Sequence, residues 1–362
     1  MTNKKKILVV DDSALMRRVM CDIINSDERF QVVEQAFDGE AAYKLLKENQ
    51  YDGVVLDVNM PKINGIQLMR MLQKDKIRTR IMMASTDTRE GASVTMEALD
   101  LGAIDFIEKP ANILYLKGDE FKGRFLDKLQ AVVTSRQTNI STSAVIPRQK
   151  QEESTQKLVS IVRKSQPSVG GQKLVAIACS TGGPKALQSV VPRLPAELAA
   201  PVLIVQHMPK GFTQSLAERL NSMSKISVKE AAEGDVLENG KVYIAMGGMH
   251  MQVVTKGGKA VITYTDEPPR EGVKPCANYM YESLRNSSYS QIVCVVMTGM
   301  GADGTKGIVN LEAAKKIHVI AQDEATSTVY GMPKSIAATG LVNQVVALDD
   351  VAQEIIMNVG VK

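Results

Sequence analysis

Short apolar runs alternate with stretches of helical periodicity along most of this chain. Residues 7–10 are apolar and end at Asp11 and Asp12, and residues 13–24 then carry apolar side chains at helical spacing. The unit recurs with a run at 31–36 and a helix over about 39–48, then a run at 53–56 with Asp57 at its end. It recurs again at 80–84, ended by Ser85, and at 104–107, ended by Glu108, Lys109 and Pro110. Such alternation predicts a parallel sheet with helices on both faces. Over 136–171 the periodicity fades into Gln, Ser, Thr, Lys and Glu with Pro147, Pro167 and Gly170, which reads as a linker. A flexible segment of that length spans ~30 to 35 Å, against a domain radius of gyration of ~14 Å, so either flanking domain reaches the other. Within it, residues 157–162 are apolar enough to pack.

The alternation restarts at 174–179, where an apolar run stops before Ser180; Gly182 and Gly183 free the backbone and Pro184 opens a helix. A run at 201–206 ends at His207 and precedes a helix over about 211–221. Segments at 241–245, 250–254 and 260–264 are spaced like an antiparallel excursion, and a buried strand at 291–297 leads into the Gly-rich stretch from Thr298 to Gly304. A last run, 318–321, leads into Gln322. The expected architecture is α/β throughout: a doubly wound parallel sheet over 1–135, the linker over 136–171, and a second doubly wound α/β domain with a small antiparallel excursion over 172–362.

Composition narrows the function. The chain has 362 residues, 44% hydrophobic and 23% charged, with a net charge of +4 whose basic residues are interleaved with acidic ones. That is the balance of a soluble globular protein and gives no charge argument for a nucleic-acid partner. No apolar run approaches the ~20 residues of a membrane span, and the first residues lack a cleavable signal pattern, so the chain reads as not membrane-inserted. Cys21, Cys179, Cys276 and Cys294 are scattered, without the spacing of a zinc site, which fits reduced thiols in a cytoplasmic protein.

Ligands of open parallel sheets bind outside the carboxyl ends of the strands, and in the first half those ends place Asp11, Asp12, Asp57, Ser85 and Lys109 on one edge. Three carboxylates together repel unless a cation joins them, and oxygen-only ligands suit Mg²⁺. Asp57 is then a nucleophile toward a phosphoryl group, with Mg²⁺ neutralising charge, Lys109 pairing with the phosphate and Ser85 hydrogen-bonding to it. Singly, each residue is a helix cap or a solvated side chain; five at successive strand ends point to chemistry.

In the second half Ser180, His207 and Asp303 each lie at or beyond the end of an expected buried strand. Together they offer a nucleophile, a base and a group that orients the base. The competing reading of Ser180 is an ordinary Gly-rich turn or phosphate loop. The sequence has only three histidines, too few and too dispersed for a metal hydrolase. His318 begins an apolar strand and reads as structural, whereas His250 suits a substrate cleft or a packed core equally. Backbone N–H groups after Ser180 and around Met300 and Gly301 can serve an oxyanion.

Residues 5 to about 130 resemble a bacterial response-regulator receiver domain, with its flavodoxin-like fold. The resemblance rests on Asp11-Asp12-Ser13, Asp57 with Met60-Pro61 and Gly65, the Ser85-Thr86 pair, and Lys109-Pro110. It implies that a histidine kinase supplies phosphate to Asp57, that Ser85 or the adjacent Thr86 is the switch hydroxyl, with Ser85 expected because it ends the strand in register, and that Phe106 is the switch aromatic, expected to turn inward on phosphorylation. From about Lys173 onward the chain resembles the catalytic domain of the chemotaxis-specific protein-glutamate methylesterases. The shared pieces are Ser180-Thr181-Gly182-Gly183-Pro184, Gln206-His207-Met208-Pro209, Gly211-Phe212-Thr213, Val242-Tyr243-Ile244-Ala245, Thr298-Gly299-Met300-Gly301, Asp303-Gly304, Gln322-Asp323-Glu324 and Tyr330-Gly331-Met332-Pro333.

The second resemblance implies hydrolysis of glutamate γ-methyl esters on chemoreceptor cytoplasmic domains, often with deamidation of receptor glutamines. Its triad falls on Ser180, His207 and Asp303, with the Met300 N–H in the oxyanion hole and no cofactor in the catalytic domain. Two stretches depart from the family pattern: Pro275-Cys276-Ala277-Asn278, in place of a Pro-Ser-Val-Asp segment, and Ala245-Met246-Gly247-Gly248, in place of Ala-Pro-Gly. Both bear on the cleft and hence on receptor-site preference. Other readings are a DNA-binding response regulator, for which the second half offers no basic helix-turn-helix, an inactive hydrolase-fold signalling module, and a receiver-regulated esterase acting on another substrate.

Overall fold

The computed structural model describes residues 4–86, 89–110, 118–136 and 171–362. The chain divides into two units, 1–137 and 138–362. Most of the expected linker, including the apolar piece at 157–162, lies outside the described residues.

In the first unit the strands are β1 (Lys5–Val10), β2 (Phe30–Ala36), β3 (Gly53–Asp57), β4 (Ile81–Thr86) and β5 (Asp105–Lys109). They form one sheet in the order β2-β1-β3-β4-β5, every pair parallel. The inner strands β1 and β3 are continuous apolar runs because helices cover both faces, whereas edge strand β2 alternates buried and exposed positions. Helices α1 (Ala14–Asn25), α2 (Gly39–Glu48), α3 (Gly65–Lys74), α4 (Arg89–Asp100) and α5 (Asp119–Thr134) connect or follow the strands. Side chains of Ser13, Asp38 and Asn64 cap the first three, and Phe125, Leu129 and Val132 of α5 join Ile7, Val9 and Val55 in the core. The strand order reverses between β1 and β3, which puts the crevice where Asp11, Asp12 and Asp57 emerge. Ser85 and Lys109 lie within β4 and β5 rather than just past them, because the pairing of these strands runs on to Thr86 and Lys109.

The second unit begins with β6 (Lys173–Cys179), α6 (Gly183–Val190), β7 (Val202–Gln206), α7 (Phe212–Met223), β8 (Ser227–Glu230) and β9 (Lys241–Ile244). Then follow β10 (His250–Lys256), β11 (Lys259–Thr265), α8 (Ala277–Ser283), β12 (Gln291–Val296) and α9 (Thr305–Glu312). The unit ends with β13 (Lys316–Gln322), α10 (Met332–Ala337), β14 (Gln344–Val346) and α11 (Leu348–Val359). The main sheet runs β14-β13-β12-β6-β7-β9-β8, all parallel.

The antiparallel excursion is smaller than its spacing suggested: only β10 and β11 pair that way, across the Gly257-Gly258 turn. Strand β9 joins the main sheet beside β7 instead, since Val242, Tyr243 and Ile244 are buried in succession, as an inner parallel strand requires. Among the described residues no helix is long and apolar enough to cross a membrane.

Candidate functional site

The order of the main sheet reverses at β6, with β7 on one side and β12 on the other. The loops leaving these three strands carry Ser180, His207 and the 298–303 segment, so residues far apart in sequence meet at a topological switch point. Backbone bonds tie the loops together: Ser180 N donates to Thr298 O at 3.0 Å, and His207 N to Cys179 O at 3.2 Å. Gly299 permits the approach, since a Cβ there would lie 2.8 Å from Ser180 Cβ and 2.4 Å from Met332 Sδ.

His207 Nε2 and Asp303 Oδ2 are 2.7 Å apart, with both side chains largely buried. That Oδ2 also accepts from Ala277 N at 2.6 Å. Asp303 Oδ1 accepts from Asn278 N at 3.0 Å, Gly304 N at 2.8 Å and the Cys276 thiol at 3.0 Å. Ala277 and Asn278 open α8, and Gly304 caps α9, so the carboxylate sits at two helix N-termini at once. Burial by itself raises the carboxyl pKa, but the His207 bond and charge, the Cys276 thiol and the Ala277 amide outweigh it and hold Asp303 at about 2. The carboxylate is therefore ionised, and it holds the His207 imidazole by its Nε2.

Ser180 stands half-buried on the same edge, and among the described residues its hydroxyl makes no hydrogen bond, so the His207–Asp303 contact is closed and no Ser180–His207 hydrogen bond is made. Met300, 38% exposed, lies one residue beyond the Gly299 approach.

The other two histidines are structural. His250 is fully buried (0% exposed), accepts from Cys276 N at Nδ1 (3.2 Å), faces Pro268 O at Nε2 (3.1 Å) and stacks on Tyr279. Of its two sequence readings, the packed core is the one the fold adopts. His318 lies inside β13 and pairs with Gln344 Oε1 at 2.8 Å.

Sequence reasoning gave no role to two glutamines that end buried strands. Gln206 Nε2 reaches the carbonyl oxygens of Ser180 and His207, and its Oε1 accepts from the Cys179 thiol at 3.0 Å. Gln322 Oε1 accepts from Thr298 N at 2.8 Å, while its Nε2 donates to Thr326 O at 2.9 Å. The signal was present: each is an uncharged polar residue closing an otherwise apolar strand. Of the two departing stretches, Cys276 to Asn278 cradles Asp303. Gly247 lies so close to the loop after His207 that a Cβ would come within 2.2 Å of Pro209 O, and its N–H donates to the Thr213 hydroxyl at 2.9 Å.

In the first unit one oxygen each of Asp11, Asp12 and Asp57 lie within 4.8 Å of one another. Lys109 Nζ bridges two of them, 2.7 Å from both Asp11 Oδ2 and Asp57 Oδ1. Burial raises the Asp57 carboxyl to about 6; Lys109 pulls it down and Asp11 pushes it up. An all-oxygen donor set around a carboxylate short of positive charge fits Mg²⁺. The Ser85 hydroxyl is buried and donates to Gly91 O at 3.3 Å. Phe106 is only 2% exposed, with the Lys128 ammonium 5.6 Å from the ring centroid. In this structure the ring is therefore in the inward position expected of it.

Residues 7–117 match the response regulator receiver domain and residues 175–355 the CheB methylesterase family. A protein of Pyrococcus abyssi (strain GE5 / Orsay) named protein-glutamate methylesterase/protein-glutamine glutaminase is 44% identical over 355 residues, covering 98% of this chain and 93% of its own length. A Bacillus subtilis (strain 168) protein of the same name is 38% identical over 353 residues, 97% of each chain. The crystal structure of the Thermotoga maritima CheB methylesterase catalytic domain aligns with a TM-score of 0.50 at 38% identity, covering 53% of this chain and 100% of that one. With near full-length relatives at these identities, the chain belongs to the CheB methylesterase family and carries a response regulator receiver domain ahead of its methylesterase domain.

Proposed function

We propose that this chain hydrolyses glutamate γ-methyl esters on the cytoplasmic domains of chemoreceptors, deamidates receptor glutamines by the same chemistry, and is activated when a chemotaxis histidine kinase phosphorylates Asp57. The observation that carries the reading is the 2.7 Å pairing of His207 with Asp303 on the sheet edge that also holds Ser180. The division of labour is a receiver over 1–135, a linker over 136–171 and a catalytic domain over 172–362, in the cytoplasm where those receptor domains lie.

His207 Nδ1 takes the Ser180 proton as Oγ attacks the ester carbonyl carbon, and the Met300 N–H holds the resulting oxyanion. Asp303 steadies the imidazolium. Collapse breaks the ester C–O bond, and the imidazolium proton leaves with the alkoxide as methanol. Water, deprotonated by His207, then cleaves the glutamyl-serine ester and restores Ser180. With a glutamine side chain the leaving group is ammonia and every other step is the same.

In the receiver, Asp11, Asp12 and Asp57 would hold Mg²⁺, which neutralises charge on the transferring phosphoryl group. Asp57 supplies the attacking oxygen, Lys109 pairs with the phosphoryl oxygens, and Ser85 turns from Gly91 O toward them. The switch acts through Ser85, Lys109 and Phe106, whose inward position is the one the phosphorylated receiver would hold.

The test is methanol release from methylated receptor and from a small methyl ester, each with and without phosphodonor. Receptor turnover that rises with phosphodonor supports the proposal; turnover of the small ester alone would indicate an esterase with another substrate, and none of either an inactive module.

A further inference from the structure

Among the described residues Asp303 has five hydrogen-bond donors, and Cys276 contributes the only one of them that is neither a backbone amide nor the imidazole. Its thiol is fully buried (0% exposed) and lies 3.0 Å from Oδ1, the oxygen turned away from His207. Burial, with the Asp303 charge beside it, pushes the thiol pKa far up, so the sulfur keeps its proton and donates it. The backbone N–H of Cys276 is anchored separately, on His250 Nδ1 at 3.2 Å. Cys276 is also the N-cap of α8, where the Asn278 and Tyr279 amides oppose the rise of the thiol pKa without cancelling it.

We propose that Cys276 is a positioning residue that tunes the base: a weak S–H donor on Oδ1 orients Asp303 while leaving most of its charge for His207. This inference rests on Ser180, His207 and Asp303 acting as the triad. A hydroxyl in the same place is a stronger donor than a thiol and withdraws more charge from the carboxylate. The imidazolium is then less stabilised and the base weaker. Removing the donor has the reverse effect on the charge, although it also loosens the carboxylate.

The experiment measures kcat and kcat/KM for a small glutamate γ-methyl ester against pH, on the full chain and its Cys276→Ser and Cys276→Ala variants. The acidic limb of kcat/KM reports protonation of the base in the free enzyme. For Cys276→Ser it is expected to move about 0.3 to 0.7 pH unit downward with a lower plateau, and for Cys276→Ala upward by a similar amount. Titration in the receiver is common to all three chains and cancels in the comparison. Limbs that superimpose on the parent, whatever the plateaus do, or that both move the same way, overturn the inference and leave Cys276 a packing residue. If the alanine variant does not fold, the serine variant decides alone, by whether its limb moves down. Ser180→Ala, run alongside, separates the two levels: residual parent-like turnover there removes the triad reading itself, whereas an inactive Ser180→Ala with unmoved Cys276 limbs removes only the role given to Cys276.

Discussion

Gln206 donates through Nε2 to the carbonyl oxygen of Ser180 at 3.0 Å, and the same nitrogen reaches His207 O at 3.3 Å. One buried amide thus sets the spacing between two residues on different loops. Gln206→Leu is expected to lower kcat ~100-fold with little change in KM, the scale of an ångström-level misplacement of reacting groups. Ser180 O keeps the Gly183 amide at 2.7 Å, but the loss of this donor from His207 O should also cost about 1–3 kcal/mol of stability. Steady-state methanol release and urea unfolding measure the two effects; a variant that loses stability but keeps kcat would show that the spacing is set elsewhere.

Ser180→Ala should keep its fold and lose ~10⁴-fold or more in turnover, and His207→Ala should match it. The double variant should be little worse than either single one, because the two residues act as a unit. Rates that multiply would argue against a shared step.

Asp303 gives an acid-stability prediction with a definite sign. Its folded pKa, about 2, lies below the ordinary 3.8, so its stabilising contribution is fully present above pH ~3.8 and disappears as pH falls toward 2. Asp303→Asn should flatten that part of the stability profile of the catalytic domain and reduce turnover ~10⁴-fold through the wrong imidazole tautomer. Acid titration of the folded fraction, compared between the two chains, checks it.

For Asp57 the sign is opposite. With a folded pKa raised from 3.8 to about 6, the folded receiver holds a proton that the unfolded chain has released, so this group's contribution to stability falls as pH rises through that window. Mg²⁺ should therefore raise the receiver's melting temperature more at pH 7 than at pH 5. Phosphorylation by a small phosphodonor should require divalent metal and vanish in Asp57→Asn. Label that persists in the Asn variant, or forms equally without divalent metal, would falsify the scheme.

If the unphosphorylated receiver hinders receptor access, deleting residues 1–150 should raise activity on methylated receptor, by roughly 5- to 150-fold for a coupling of 1–3 kcal/mol. A small ester should be less affected. An unchanged ratio of the two rates, with a fragment slower than the intact unphosphorylated chain, would mean that the receiver acts by ordering the catalytic domain.

The strand ends were legible because buried parallel strands are continuous apolar runs, and whatever polar residue stops them stands at the crevice: Asp57, Ser180 and His207 were all found this way. Strand neighbours were less so. Lys241–Ile244 is short enough to suit either direction of pairing, and only its burial on both faces makes it a parallel member of the main sheet. The cradle of Asp303 was not legible at all. It depends on where α8 docks, which brings Cys276 and Ala277 against a carboxylate 27 and 26 residues later. Nor could His250 be settled before its partners, Pro268 and Cys276, were known to converge on it.

The reversal of strand order at β6 also bears on when the chain becomes competent during synthesis. Ser180 and His207 leave the ribosome together, but Asp303 follows His207 by 96 residues, on the far side of the central strand. The base has no partner until β12 has docked against β6. A nascent or truncated chain ending before that point carries Ser180 and His207 on a half-built sheet without Asp303, and on the proposed triad it is expected to be inactive. On the proposed triad, activity therefore requires the centre of the sheet, where β12 meets β6, to have closed, and does not wait on the β13 and β14 edge that follows in sequence.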